Sequence, residues 1–251
     1  MRRPFIAGNW KMHLDRASIT AFCAALKAKG VRGDVTVGVF PPFVYLAETV
    51  QALAGSGVVV GGQTCRPEPK GAFTGEVAAG QVKDVGASHV IVGHSERRHV
   101  MGETDADVRA RLDAGLECGL DVILCVGETI EEREADRTGD VVATQLDAGT
   151  QGLDDEVLAS RVTIAYEPVW AIGTGLTATP EQAQEVHALI RSRLTTVFGE
   201  GIADRVIIQY GGSVKPGNVA TLMACPDVDG ALVGGASLDP DSFASLIDFD
   251  K

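Results

Sequence analysis

The chain has few cysteines, and their spacing fits neither a disulfide framework nor a metal site. No C-x-x-C pair and no Cys/His ligand spacing occurs among them. An odd, dispersed set is typical of reduced thiols, which favours a cytoplasmic protein. The five residues are Cys23, Cys65, Cys118, Cys125 and Cys225.

Basic residues and long apolar runs are also scarce. Lysine and arginine number 22 against 34 acidic residues, giving a formal net charge of −12, which argues against nucleic acid or an anionic membrane as a partner. No apolar stretch approaches the roughly 20 residues of a membrane span, and the apolar run that follows Arg2 and Arg3 is too short for a signal peptide. An anionic small molecule is still a candidate ligand, because local donors can override the global field.

Short apolar runs recur regularly along the 251 residues, 45% of which are hydrophobic. The spacing leaves room for one helix between consecutive runs. Strict alternation of strand and helix implies a parallel sheet, and eight units favour a closed (β/α)8 barrel over an open sheet. No linker interrupts the pattern, so residues 1–251 are predicted to form one domain. The strands are predicted at 5–9, 35–40, 58–62, 89–93, 121–126, 162–167, 206–210 and 230–234.

Helical periodicity supports this alternation. In three of the intervening segments, apolar residues share one helix face and a glycine ends the pattern. Asp239-Pro240 starts a last short helix. The three faces are Ile19, Phe22 and Leu26 before Gly30; Val108, Leu112, Gly115 and Leu116 before Gly119; and Val186, Leu189, Ile190, Leu194 and Val197 before Gly199.

The segment 165–175 carries the central hypothesis. Its strand ends in Glu167, and Pro168 stops the strand because it has no N–H for the ladder. The loop that follows is too apolar for a plain connector, since Trp170 and Ile172 need something to cover, and this favours a lid that closes over a ligand. The alternative is a solvated carboxylate where a strand reaches the surface.

Two features flank this lid. Its glycines, Gly173 and Gly175, allow close approach of the backbone to an anion. Beyond it, Thr179-Pro180-Glu181-Gln182 predicts a helix start, with Thr179 as N-cap and Gln182 closing a capping box.

Polar residues gather at the predicted carboxyl ends of the strands, where barrel enzymes place their catalytic groups. The predicted amino-terminal ends carry no comparable constellation. The carboxyl ends lead into Asn9 and Lys11, His94 and Glu96, Glu128, Glu167, Gly211-Gly212-Ser213, and Gly234-Gly235.

Several of these residues have competing interpretations. The two glycine-rich turns after strands seven and eight are typical either of phosphate-binding loops or of tight connections. Lys11 fits a surface lysine, a Schiff-base nucleophile, or an electrophile held in place by Glu96. His94 lies at a strand end beside polar residues, which favours a site role, and Cys125 is interpreted as a small packing residue. The remaining histidines, interpreted as structural, are His13, His89, His99 and His187.

Five motifs together resemble the triosephosphate isomerase family, and the match spans the whole chain. The resemblance implies a (β/α)8 barrel that interconverts dihydroxyacetone phosphate and D-glyceraldehyde 3-phosphate in glycolysis and gluconeogenesis, with no cofactor and no metal. The motifs are Ala7-Gly-Asn-Trp-Lys11, Gly93-His-Ser-Glu-Arg-Arg98, the segment 165–175, Tyr210-Gly-Gly-Ser213 and Gly234-Gly-Ala-Ser237.

The same resemblance implies roles for individual residues. Glu167 is the expected base, neutral His94 the donor to the oxygen that becomes negative, and Lys11 and Asn9 the groups that stabilise the enediolate. Trp170 is expected to move with the lid and contact Glu128, and Tyr210 to hold the closed form. The expected phosphate ligands are backbone groups of Gly173, Ser213, Gly234 and Gly235.

The loop 63–76 after strand three has two interpretations. Its composition is that of a plain surface loop, whereas the resemblance makes it an arm in which Thr74 reaches a partner subunit, and this predicts a homodimer. Two residues depart from the family pattern. Thr64 stands where asparagine is usual in the arm, and Leu176 where lysine is usual at the far lid hinge.

Two rival functions are compatible with a phosphate-binding barrel. One is an aldolase that uses Lys11 as a Schiff base, which requires a buried lysine with a lowered pKa. The other is a non-catalytic sugar-phosphate binder. The joint presence of Asn9, Lys11, His94 and Glu167 argues against the binder.

Overall fold

The computed structural model describes residues 2–173 and 176–250, and its eight parallel strands close into one barrel in chain order. Closure comes from β1, which pairs with β2 on one side and with β8 on the other. The predicted (β/α)8 architecture is confirmed. The strands are β1 Phe5–Asn9, β2 Thr36–Phe40, β3 Val59–Gly62, β4 His89–Val92, β5 Asp121–Val126, β6 Val162–Tyr166, β7 Ile207–Tyr210 and β8 Gly230–Val233.

The sequence located every strand to within one residue at each end. Two strands match the predicted bounds, and the others begin or end one residue inside them. At β4 the strand stops early because Gly93 has a φ of +70°, a left-handed conformation that breaks the pleat. At β6, Glu167 already lies beyond the last ladder residue, next to Pro168.

The connections are richer than one helix each, so strict alternation was wrong in detail. The segments after β4, β5 and β6 each hold more than one helix, because capping residues such as Thr104, Thr129 and Asp154 start new helices within them. The helices are α1 Arg16–Lys29, α2 Leu46–Ala52, α3 Ala79–Asp84, α4 Ser95–His99, α5 Asp105–Glu117, α6 Ile130–Glu134, α7 Thr138–Thr150, α8 Asp155–Arg161, α9 Pro180–Phe198, α10 Glu200–Ala203, α11 Val219–Met223 and α12 Pro240–Ile247, with 3-10 turns at Phe43–Tyr45, Val169–Ala171 and Gly235–Ser237.

The predicted helix boundaries and faces hold with one exception. Gly30 and Gly199 end α1 and α9 in left-handed conformations, and Asp239 caps α12. In α9, however, Val197 is 48% exposed, because the last turn of this helix extends past the packed interface. None of the helices in residues 2–173 and 176–250 is both long and apolar enough to cross a membrane.

Two apolar cores position the site. One lies between the strands and the surrounding helices, and the other fills the barrel interior with alternate strand residues, among them Phe5, Ala7, Ala165 and Leu232. Since side chains alternate along a strand, the next inward position after Ala7 is Asn9, and the one after Ala165 is Glu167. Because inward and outward side chains alternate along each strand, these polar side chains lie inside the barrel at the carboxyl ends of the strands.

Candidate active site

A cavity of about 630 Å³ opens at the carboxyl ends of the strands and brings most of the predicted residues together. Glu128, Trp170 and Tyr210 do not line this cavity but lie behind the lid. Thr74 lies apart from it, exposed in the loop after β3. The predicted residues that line the cavity are Asn9, Lys11, His94, Glu96, Glu167, Gly173, Ser213, Gly234 and Gly235.

The Glu167 carboxylate is buried at 2% exposure and bound at both oxygens. Its Oε1 lies 3.0 Å from His94 Nε2, and its Oε2 accepts a 2.7 Å hydrogen bond from the Ser95 amide at the start of α4. Burial raises the pKa of Glu167, but His94, the Ser95 amide and Lys11 outweigh burial and hold the pKa below its ordinary value. The carboxylate is therefore ionised, and it is not a solvated strand-end residue.

The hydrogen bonds of His94 define its tautomer. The Glu96 amide lies 3.2 Å from Nδ1 and donates to it, which requires a lone pair on Nδ1 and places the ring proton on Nε2, facing Glu167. Burial lowers the pKa of His94, and the Glu167 carboxylate raises it above its ordinary value while the two stay in contact. If the carboxylate turns away, burial and the Glu96 amide both favour the neutral ring.

Lys11 is held at the mouth by three neighbours. Its Nζ pairs with Glu96 Oε1 at 2.6 Å, and its backbone amide donates to Asn9 Oδ1 at 3.0 Å. The backbone of Lys11 has a φ of +49°, which is strained for a residue with a side chain. Gln63 supports this conformation, because its Nε2 donates to the carbonyls of Lys11 and Phe40 at 2.7 and 2.9 Å.

Glycines form the opposite side of the cavity. A Cβ at Gly211 would lie 2.8 Å from Glu167 Cγ, so the turn after β7 runs directly against the carboxylate side chain. A Cβ at Gly234 would lie 3.5 Å from Lys11 Cε, so the turn after β8 reaches the lysine. These turns, with Gly173 of the lid, bring backbone groups to one end of the cavity, a suitable arrangement for an anion.

A buried carboxylate anchors the lid. Glu128 is fully buried, and its Oε1 accepts from Tyr166 Oη at 3.1 Å, Trp170 Nε1 at 3.0 Å and Arg133 Nη1 at 3.0 Å. The Arg133 guanidinium also lies over the Trp170 ring, 5.0 Å from its centroid. The lid base is thus fixed by its indole, while Ala171, Ile172 and Gly173 face the cavity.

Tyr210 and the start of α9 lie at the far end of the loop after β6. Tyr210 is buried, and its hydroxyl lies near the backbone of Ala178 without a well-formed hydrogen bond. Leu176 is 56% exposed, and Gly175 lies outside the described residues. Thr179 and Gln182 form the predicted capping box at the start of α9.

The remaining sequence interpretations have mixed outcomes. Cys125 is fully buried, and burial raises the pKa of its thiol well above the ordinary value, so it is a packing residue. His89 and His187 make hydrogen bonds away from the cavity, whereas His13 lines the cavity, contrary to its structural interpretation. Among the described residues, no group of His, Cys, Asp and Glu side chains is arranged to hold a metal ion.

Sequence reasoning missed three contributors to the site. Ser95 acts through its backbone amide, which side-chain chemistry does not reveal, although its place directly after His94 at a helix start was a signal. Gln63 acts on the backbone of Lys11, 52 positions away. Lys215, two residues beyond Ser213, lines the same cavity.

Comparison with known proteins decides the assignment. The family model described as "Triosephosphate isomerase" matches residues 4–250. The chain belongs to the triosephosphate isomerase family. It is 50% identical over 252 residues to the triosephosphate isomerase of Syntrophotalea carbinolica, covering 99% of each chain. The enzyme of that name from Moorella thermoacetica is 51% identical over 251 residues, covering 100% of each chain.

Membership in the triosephosphate isomerase family confirms the resemblance seen in the motifs and makes the protein an isomerase. A relative from Hydrogenovibrio crunogenus, also a triosephosphate isomerase, is 51% identical and covers 98% of this chain and 97% of its own. The aldolase rival gains no support from the site, because Lys11 Nζ is paired with Glu96 and not presented alone to the cavity.

Proposed function

We propose that this protein interconverts dihydroxyacetone phosphate and D-glyceraldehyde 3-phosphate through an enediolate, a step shared by glycolysis and gluconeogenesis. The observation that carries the proposal is the pairing of Glu167 with His94, whose Nε2 lies 3.0 Å from the carboxylate at the mouth of the barrel. A carboxylate base and a hydrogen-bond donor placed together are the two groups that proton transfer next to a carbonyl requires.

Glu167 acts as the base. It removes a proton from the carbon beside the substrate carbonyl and returns it to the neighbouring carbon. In the described conformation both carboxylate oxygens are occupied, so the side chain leaves the Ser95 amide and the His94 ring when substrate binds. The neutral His94 ring then donates a hydrogen bond from its Nε2–H to the substrate oxygen, where negative charge develops.

Oxyanion stabilisation supplies most of the rate. With its pKa held below the ordinary range, the Glu167 carboxylate is a weak base for a carbon acid, so the driving force has to come from groups placed where charge develops. His94, the Lys11 ammonium and the Asn9 amide line that position. Lid closure strengthens these interactions by excluding water.

Backbone groups hold the substrate phosphate. Gly173, Ser213, Gly234 and Gly235 all line the cavity, and the three glycines carry no side chain that would cover their amides. With the lid closed over it, the enediolate is kept from losing its phosphate before the second proton transfer. Trp170, at one end of the lid, moves with it and contacts Glu128. Tyr210, at the other end, holds the closed form.

A homodimer is proposed from the distribution of exposed apolar residues. The four most exposed large apolar side chains follow three of the first four strands, with Met12 after β1, Val44 after β2, and Val100 and Met101 after β4. Thr74 and Phe73 lie in the loop after β3, so all four loops belong to one half of the rim. Exposed apolar residues gathered on one side of a protein are typical of a subunit interface, and sedimentation should give a mass of twice 26.2 kDa.

The whole chain is proposed to act as one domain in the cytoplasm. All five cysteines are described as free thiols, which suits a reducing compartment. Thr64, in the proposed dimer arm, has a buried hydroxyl without a hydrogen-bond partner among the described residues.

The function is tested by assaying conversion of D-glyceraldehyde 3-phosphate to dihydroxyacetone phosphate without added metal or nucleotide. Glu167→Gln should lower kcat by at least about 10²- to 10⁴-fold, the usual contribution of a general base. Glu117→Gln, the same change at an exposed position at the end of α5, should leave kcat unchanged. An inactive folded parent protein would refute the isomerase, and full activity in Glu167→Gln would refute the choice of base.

A further inference from the structure

The charged side chains that line the cavity are unevenly paired. Lys11 is bound to Glu96, and Glu167 is bound to His94 and the Ser95 amide. Lys215 also lines the cavity, yet its side chain is exposed and no carboxylate in the described residues lies within ion-pair distance of it. Its charge is therefore not neutralised by a neighbouring carboxylate of the described part of the chain.

The loop that carries Lys215 is held in a defined shape. The Asn218 side chain makes two hydrogen bonds to the backbone of this loop. Its Oδ1 accepts from the Lys215 amide at 2.8 Å, and its Nδ2 donates to the Ser213 carbonyl at 3.0 Å. Pro216 follows and restricts Lys215 to an extended backbone. The loop fixed in this way carries both Ser213 and Lys215, and both residues line the cavity.

A cation without an acidic partner can offset the repulsion that this acidic protein exerts on an anionic substrate. The formal net charge of −12 creates a field that repels an anionic substrate as it approaches. Within the cavity the two formal positive charges, Lys11 and Lys215, only balance those of Glu96 and Glu167. Because Lys11 is already paired, Lys215 is the cation left to offset the repulsion.

We propose that Lys215 is a specificity residue that draws the phosphate dianion of the substrate into the cavity. The inference rests on the proposed function for the identity of the substrate, but the anion site can be tested separately. Lys215 raises the association rate of the dianion and lowers its dissociation rate. It does not take part in proton transfer. Its effect therefore appears in kcat/KM and is sensitive to salt, whereas kcat is unaffected.

The test compares Lys215→Gln with a matched control, Lys27→Gln. Lys27 lies in the last turn of α1, away from the cavity, so both variants change the net charge equally. At an ionic strength of about 0.01 M, where the Debye length is about 30 Å, Lys215→Gln should lower kcat/KM by about three- to tenfold. At about 0.3 M the difference should shrink towards one, and Lys215→Arg should behave as the parent at both.

A second readout does not depend on activity. Binding of inorganic phosphate at low salt, measured by calorimetry, should weaken by a similar factor in Lys215→Gln and stay unchanged in Lys27→Gln. An inactive parent whose phosphate binding still depends on Lys215 would refute the proposed function and support the anion site. Equal behaviour of the two glutamine variants, or a loss of kcat in Lys215→Gln at all salt concentrations, would overturn the proposal.

Discussion

Glu167 shows how closely the neighbouring backbone defines the position of the side chain that is proposed to act as the base. Gly211, directly after β7, leaves room for the carboxylate, and its amide donates to the Tyr166 carbonyl at 2.7 Å. The turn that contains Gly211 is thus hydrogen-bonded to the last residue of β6. It also lies against the side chain of Glu167, the residue that follows β6. Any side chain at this position competes with Glu167 for the same volume.

Replacing Gly211 by alanine should therefore lower kcat with little loss of fold. The added Cβ would lie 2.8 Å from Glu167 Cγ and 3.1 Å from the Tyr166 carbonyl oxygen, so the flexible carboxylate gives way. A displacement of about 1 Å costs on the order of 10²-fold in rate. Steady-state kinetics and circular dichroism measure the two effects.

The matched control is Gly201→Ala in α10, where a Cβ meets nothing within 4 Å. Its kcat should equal that of the parent. An unchanged kcat in Gly211→Ala would mean that the carboxylate is not confined by this turn.

Sequence could identify the side chains of the site but not the contacts made by its backbone. Asn9, His94 and Glu167 were found because strand ends are recognisable from hydrophobic periodicity. The Ser95 amide and the support of Lys11 by Gln63 were missed, because a backbone donor carries no side-chain signature and the Gln63 contact depends on how the chain closes.

The α9 helix, which starts just beyond the lid, depends on its cap. Thr179 Oγ1 accepts from the Gln182 amide at 3.2 Å, and Gln182 Oε1 accepts from the Thr179 amide at 2.9 Å. This capping box was predictable from four residues because it is entirely local. By contrast, the division of the long connections into several helices was not recognised.

Thr179→Ala should lower the free energy of unfolding by about 1 kcal/mol, because the Gln182 amide loses its acceptor at the helix start. Urea denaturation provides the measurement. Thr196→Ala, an exposed position within the same helix, should change stability by less than about 0.5 kcal/mol. If both variants lose the same stability, the cap does not hold the helix start.

The molecule as a whole should lose stability in mild acid through His187. This imidazole is fully buried and packs against the Tyr166 and Tyr210 rings, and burial lowers the pKa of His187 to about 4. The unfolded chain, with an ordinary histidine pKa of about 6.5, takes up the proton first. The stability from the neutral ring is complete above pH 6.5 and is lost as the pH falls towards 4.

This difference corresponds to about 3 kcal/mol between the two pH values. Denaturant unfolding of the parent at a series of pH values should show the loss, superimposed on that from the carboxylates. His187→Gln should be less stable at pH 7 but should fall less steeply, whereas His99→Gln, at an exposed site, should keep the steep profile. Parallel profiles for the parent and His187→Gln would contradict the assignment.

The barrel could be predicted because each strand and most helices carry a periodic signal of their own. Closure followed from the number of units. Val197 shows where periodicity fails, because a helix can continue an apolar pattern after the surface that it packs against has ended. The position of Lys215 at the cavity mouth was likewise not predictable, since it depends on how Asn218 folds the loop after β7.

Proton transfer by Glu167 is tested most directly by running the reaction in D₂O and following the product by NMR. A proton held on the carboxylate exchanges with solvent before it returns, so the carbon that receives it should carry deuterium in a large fraction of the product. In Glu167→Gln, deuterium incorporation should slow with turnover by at least about 10²-fold. Deuterated product formed by Glu167→Gln at the parent rate would contradict the mechanism.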